Sequence, residues 1–121
     1  MDKWQAQTSF WNSFGVPAYE EHNVPEGASF PRITYEAATS VFDSLVSITA
    51  SIWTRSTSWA KADALADSIE RYIKQMGCPA IDGGRYRVYI GNTTFAQKMD
   101  DPNDDQIKRI VLNVTFEFMT K

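Results

Sequence analysis

The stretch from Ile107 to Met119 constrains this chain most, because Ile110, Leu112, Val114, Phe116 and Phe118 alternate without a break against Arg109, Val111, Asn113, Thr115 and Glu117. Successive side chains on a β-strand point to opposite sides. A sustained apolar period of two therefore demands a hydrophobic layer on one face and leaves the other to water or a partner. Every other segment must supply that layer or pair with this strand. With 121 residues the chain fits one domain, residues 1–121, and is long enough to bury a core without staples.

In chain order, Trp4, Gln7, Phe10, Trp11 and Phe14 fall at helical spacings before Gly15, which predicts an N-terminal helix over residues 3–14. Val16-Pro17, Val24-Pro25 and Glu26-Gly27 then mark residues 16–29 as a surface connection. Ile33 and Tyr35 define a first strand, residues 30–36, and residues 37–44 are expected to turn or to protrude as an arm. In the second strand, 46–55, Val46, Ile48, Ala50 and Ile52 face in, while Ser47, Thr49, Ser51 and an exposed Trp53 face out. Ser56-Thr57-Ser58 offers N-cap hydroxyls to a helix striped by Ala62, Leu65, Ala66, Ile69, Tyr72, Ile73 and Met76, which Gly77 and Pro79 end. Asp82-Gly83-Gly84 turns into a third strand, 85–90, and a long loop, 91–106, leads to the last one.

The order helix, strand, strand, helix, strand, strand predicts an α+β two-layer sandwich, with a four-stranded, mostly antiparallel sheet and two helices on one face. The second helix is long enough to cross over and return the chain in parallel. An open sheet of this kind leaves edges that invite neighbouring subunits, so a homo-oligomer is expected.

Chemistry is sparse in this pattern. His22 beside Glu20 and Glu21 lacks a second histidine or a Cys/His cluster to complete a catalytic or metal site, and is expected to be a solvated loop residue. The single cysteine, Cys78, excludes an internal disulfide and lies past a helix C-terminus, where the dipole disfavours a thiolate. Asp101, Asn103 and Asp105 imitate the start of a calcium loop, but Gln106 and Leu112 stand where glycine and glutamate are needed. The glycines Gly83 and Gly84 precede a strand rather than a helix, so they do not form a phosphate cradle. Neither catalytic residues, nor a metal, nor a cofactor is expected. A net charge of −3 gives no basic footprint for holding nucleic acid. The absence of a signal-like N-terminus and of any apolar run of roughly 20 residues points to an unexported protein without a membrane partner.

Four stretches carry a family likeness: Phe10-Trp11-Asn12-Ser13-Phe14-Gly15-Val16-Pro17-Ala18-Tyr19-Glu20-Glu21, Phe30-Pro31-Arg32-Ile33-Thr34-Tyr35-Glu36, Trp53-Thr54-Arg55-Ser56-Thr57-Ser58-Trp59, and Phe95-Ala96-Gln97-Lys98-Met99-Asp100-Asp101 leading into Arg109-Ile110-Val111-Leu112-Asn113-Val114. Together they resemble small tail proteins of long-tailed bacteriophages and prophages, nearest to the tail terminator, tail completion or head-tail joining family. The resemblance spans nearly the whole chain, and none of its motifs is catalytic.

It implies a non-enzymatic virion protein, assembled in the bacterial host cytoplasm and placed in the neck region of the tail. There a homo-oligomeric ring, in this family usually a hexamer, ends growth of the tail tube and receives the head connector or stopper protein. DNA meets such a ring only in transit. Within this reading Trp53, Phe95, Lys98, Met99, Lys108 and Arg109 are the expected contacts to subunits or tube. Asp100, Asp101, Asp104 and Asp105 are the expected lumen-facing acids, repelling phosphate as DNA passes. The alternatives are another minor head-tail connector or tail structural protein, a non-assembling adaptor of the same body, and a small hydrolase that uses His22 with the Asp loop.

Overall fold

A computed structural model describes residues 3–36, 45–76, 80–81, 84–90, 94–100, 104 and 106–118. Helix α1 (Lys3–Trp11) runs into a 3-10 turn (Asn12–Phe14), which Gly15 ends at φ 83°, the left-handed conformation that glycine adopts without strain. Strands β1 (Ala18–Glu20), β2 (Arg32–Tyr35) and β3 (Leu45–Arg55) follow, then helix α2 (Ala60–Met76). Strands β4 (Ala80–Ile81), β5 (Gly84–Tyr89), β6 (Ala96–Asp100) and β7 (Ile107–Phe118) complete the chain.

The fold is α+β with a mostly antiparallel sheet, but among the described residues the sheet has seven strands, not four. Its order is β1-β2-β3-β7-β5-β4, with β6 also paired to β7. Three short strands account for the difference. β1 lies in the expected surface connection and joins β2 in parallel; β4 makes a two-residue pairing with β5; β6 occupies the middle of the expected 91–106 loop. β7 is long enough to take β6 along its first half and β5 along its second, both on the side away from β3. Because β3 and β5 are both antiparallel to β7, they run parallel to each other, as the α2 crossover requires.

The alternation along β7 appears as expected: Ile110, Leu112, Val114 and Phe116 are buried, and the residues between them are half-buried. Registered pairing brings Ile52 opposite Ile110, Ala50 opposite Leu112 and Ile48 opposite Val114, while Ile33 and Tyr35 extend that layer across β2. Ala62, Ala66, Ile69 and Ile73 of α2 cover this face, after the Ser58 hydroxyl accepts the Ala60 N–H at the helix start. Phe10 on α1 links the layers, its ring 5.6 Å from Phe116, 5.8 Å from Tyr72 and 4.8 Å from Trp11. Trp11 stacks on Tyr35, and Asn12 fastens the helix end to β1 through both the N–H and the C=O of Ala18. No helix among the described residues is long and apolar enough to cross a membrane.

Candidate functional site

The opposite face of the sheet carries a row of side chains that the pairing register assembles from four strands. Arg32 of β2 lies opposite Trp53 of β3, Trp53 opposite Arg109 of β7, and Arg109 opposite Met99 of β6. Side chains at directly opposed positions share a face and touch. The Arg109 guanidinium carbon is 4.7 Å from the Trp53 ring centre, and that of Arg32 is 6.0 Å from the same ring and 4.4 Å from Phe30. Cations over ring faces are favoured by the ring quadrupole. Trp53 is half-buried rather than exposed, and its indole N–H donates to the Thr34 hydroxyl at 2.9 Å.

A concavity of about 320 Å³ opens on this row, lined by Arg32, Trp53, Arg109, Thr34, Ser51 and Thr49, with Glu21 and Val24 also on its wall. Ser51, although on the outer face, is buried, and its hydroxyl accepts from Arg109 Nε at 3.1 Å. Arg32 Nη1 donates to the Ala28 carbonyl at 2.7 Å, while its Nε is buried without an acceptor. The ion pairs among the described residues are His22–Glu20, Arg55–Asp104, Lys74–Glu70, Arg87–Glu117 and Lys98–Asp63. Among the described residues no carboxylate lies within 4.0 Å of Arg32 or Arg109, although Glu21 stands on the wall of the same concavity.

The expected contact residues separate into three groups. Trp53, Arg109 and Met99 stand side by side in the outer row, and Met99 is 45% exposed. Lys98 and Lys108 instead sit on the helix-side face, 5.1 and 5.5 Å from the Trp59 ring centre, with Lys98 also 3.3 Å from Asp63. Phe95 is taken up by the core cluster, at 8% exposure.

Of the four acids, Asp104 is tied to its own chain by Arg55 Nη1 at 2.9 Å and by the Gln106 N–H, which hold its carboxyl below the usual range, the backbone bond most strongly. Asp101, Asp105, the side chain of Asp100, Cys78, the 82–83 turn and the 37–44 segment lie outside the described residues. His22 is 80% exposed and bonded through Nδ1 to Glu20 at 2.6 Å, an ion pair in solvent rather than a base oriented toward a pocket. Among the described residues no group of three His, Cys, Asp or Glu side chains could hold a metal ion.

Arg32 belongs to the row but is not among the contacts expected from the sequence, because only the β2–β3 register reveals its place beside Trp53. Compared with protein-family models and with curated proteins, the chain finds no match.

Proposed function

We propose that this chain is a structural subunit of a tailed-phage particle, forming a ring at the head-proximal end of the tail tube that ends tube growth and joins the tail to the head connector. The observation that carries the reading is the outer row Arg32–Trp53–Arg109–Met99: a sheet face that is neither plain solvent surface nor core, built from the residue types enriched where proteins meet. The family likeness of the four sequence stretches supplies the identity of the assembly. A rigid sandwich with one helix-covered face and one open face suits head-to-tail contacts around an axis. No reaction is assigned to it. On this reading Asp100, Asp101, Asp104 and Asp105 face the lumen, and a map of the ring with those acids in bulk solvent removes that element.

The test is to mix the protein with polymerising tail-tube protein and measure tube lengths and ends by electron microscopy. The expected result is shortened tubes with a ring at one end; tubes that grow on uncapped, together with a strictly monomeric protein in solution, overturn the proposal.

A further inference from the structure

We infer that the groove between Arg32 and Arg109 receives an acidic side chain of a partner protein chain, a Glu or Asp on an extended segment, with its carboxylate taken by the guanidinium groups and its stem laid against Trp53. The inference deepens the proposed function and rests on its reading of this face as a protein interface. Arginine suits such a role, because its planar fork matches a carboxylate with two parallel hydrogen bonds and it tolerates stacking on an aromatic ring at the same time.

Both guanidinium groups are pre-positioned. Arg32 is fixed by the Ala28 carbonyl and the Phe30 ring, Arg109 by Ser51 and the Trp53 ring. Among the described residues the terminal nitrogens of Arg109 have no acceptor, and neither arginine has a carboxylate within ion-pair reach. Side chains already held in place lose little freedom on binding, so the gain from a new charge-assisted bond is not consumed by ordering them. At about 320 Å³ the groove sits at the small end of ligand clefts, which run to roughly 300–1,000 Å³.

A partner chain fits better than a nucleic acid. Binding a phosphate backbone draws its strength from many cations releasing counterions. Here two unmatched arginines share the groove with Glu21, in a chain whose net charge is −3. A single carboxylate satisfies such a site, whereas a phosphate backbone needs a longer row of cations than the groove holds.

The experiment titrates the full-length protein with a short capped peptide of alternating Glu and Ala, following backbone amide shifts by NMR and affinity by calorimetry. Shift changes are expected around residues 32, 34, 51, 53 and 109, with binding weakened by added salt. Affinity should fall about tenfold or more in Arg32→Gln/Arg109→Gln, as expected for loss of hydrogen bonds to a charged group. Lys74→Gln on the far side of α2 should bind as the parent does.

Equal affinity for the Gln-Ala peptide overturns the inference, as does tighter binding of a single-stranded oligonucleotide, or shift changes confined to other surfaces of the unsubstituted protein. That last readout stands even if the double variant fails to fold. Peptide binding by a protein that leaves tubes uncapped refutes the tail reading and keeps the groove; capped tubes with no peptide binding do the reverse.

Discussion

The two faces of the β3–β7 ladder share one backbone and one set of hydrogen bonds, yet they do opposite work. On the helix side the opposed pairs include Ile48–Val114, Ala50–Leu112 and Ile52–Ile110, with Thr54–Lys108 at one end. On the other side they are Ser47–Thr115, Thr49–Asn113, Ser51–Val111 and Trp53–Arg109. Between these apolar pairs the first face is dry, so each methylene removed there leaves a gap that rigid neighbours cannot close. The exposed polar pairs of the second, such as Ser47–Thr115, each gain little, because water competes for their polar groups. Stability is thus concentrated on one side of the sheet, and the other is the side to which the proposed function assigns recognition.

The most direct way to break this comparison is to truncate one residue from each face. Phe116 is fully buried beneath Phe10 and Trp11, and Phe116→Ala should cost about 3–5 kcal/mol in chemical denaturation. That is a large part of the roughly 5–15 kcal/mol that holds a domain together. Thr49 on the outer face of β3 is exposed, and Thr49→Ala should change stability by about 0.5 kcal/mol or less. Similar losses at both positions would mean that the outer face is packed too, and that the sheet has no free side.

Arg109→Gln sharpens the contrast. It removes a cation over the Trp53 ring and the donor to Ser51 in a half-buried setting, so the expected loss of stability is about 1–2 kcal/mol. Assembly, measured by mass in solution at a fixed protein concentration, should suffer far more than the melting curve. A variant that melts much earlier but assembles normally would make Arg109 a structural strut instead.

How much of this was legible in the sequence depended on whether a segment carries its own pattern. β7, β3 and α2 do: each has an apolar repeat at the period of its own conformation, so Ile110, Ile48 and Ile69 all point where the repeat sends them. The segment Ala96-Gln97-Lys98-Met99-Asp100 has no such repeat and becomes β6 only because the unused edge of β7 offers it partners. Tertiary pairing overrides weak local preference there. Phe95 illustrates the same limit, since a lone aromatic in a polar run gives no sign of the core that lies beneath it. For the candidate site, Trp53, Met99 and Arg109 were visible singly. Their meeting, and the addition of Arg32, depends on which residues stand opposite across three strand pairings, a quantity no local pattern encodes.

The smallest expected effect belongs to neither face of the β3–β7 ladder. At the edge strand β1, Glu20 Oε1 bonds His22 Nδ1 at 2.6 Å and its second oxygen accepts the His22 N–H at 2.8 Å, with the His22 side chain exposed and that of Glu20 half-buried. The side-chain bond is the main cause of both shifts: it lowers the Glu20 carboxyl from its ordinary 4.5 and raises the His22 imidazole from its ordinary 6.5. A raised histidine pKa gives a contribution that is complete below 6.5 and fades as pH climbs through the folded value; a lowered carboxyl pKa gives one that is complete above 4.5 and fades as pH drops through its own. The pair therefore contributes most between these two ordinary values. Salt should shrink the contribution, because exposed charges are screened. In an NMR titration of the His22 ring protons, Glu20→Gln should bring the midpoint down toward the ordinary histidine value while the core signals of Ile110 and Phe116 stay where they are. A midpoint that does not move would show that the pair is absent in solution; core signals that shift with it would show that the edge and the dry face are coupled, contrary to the separation of roles drawn from the β3–β7 ladder.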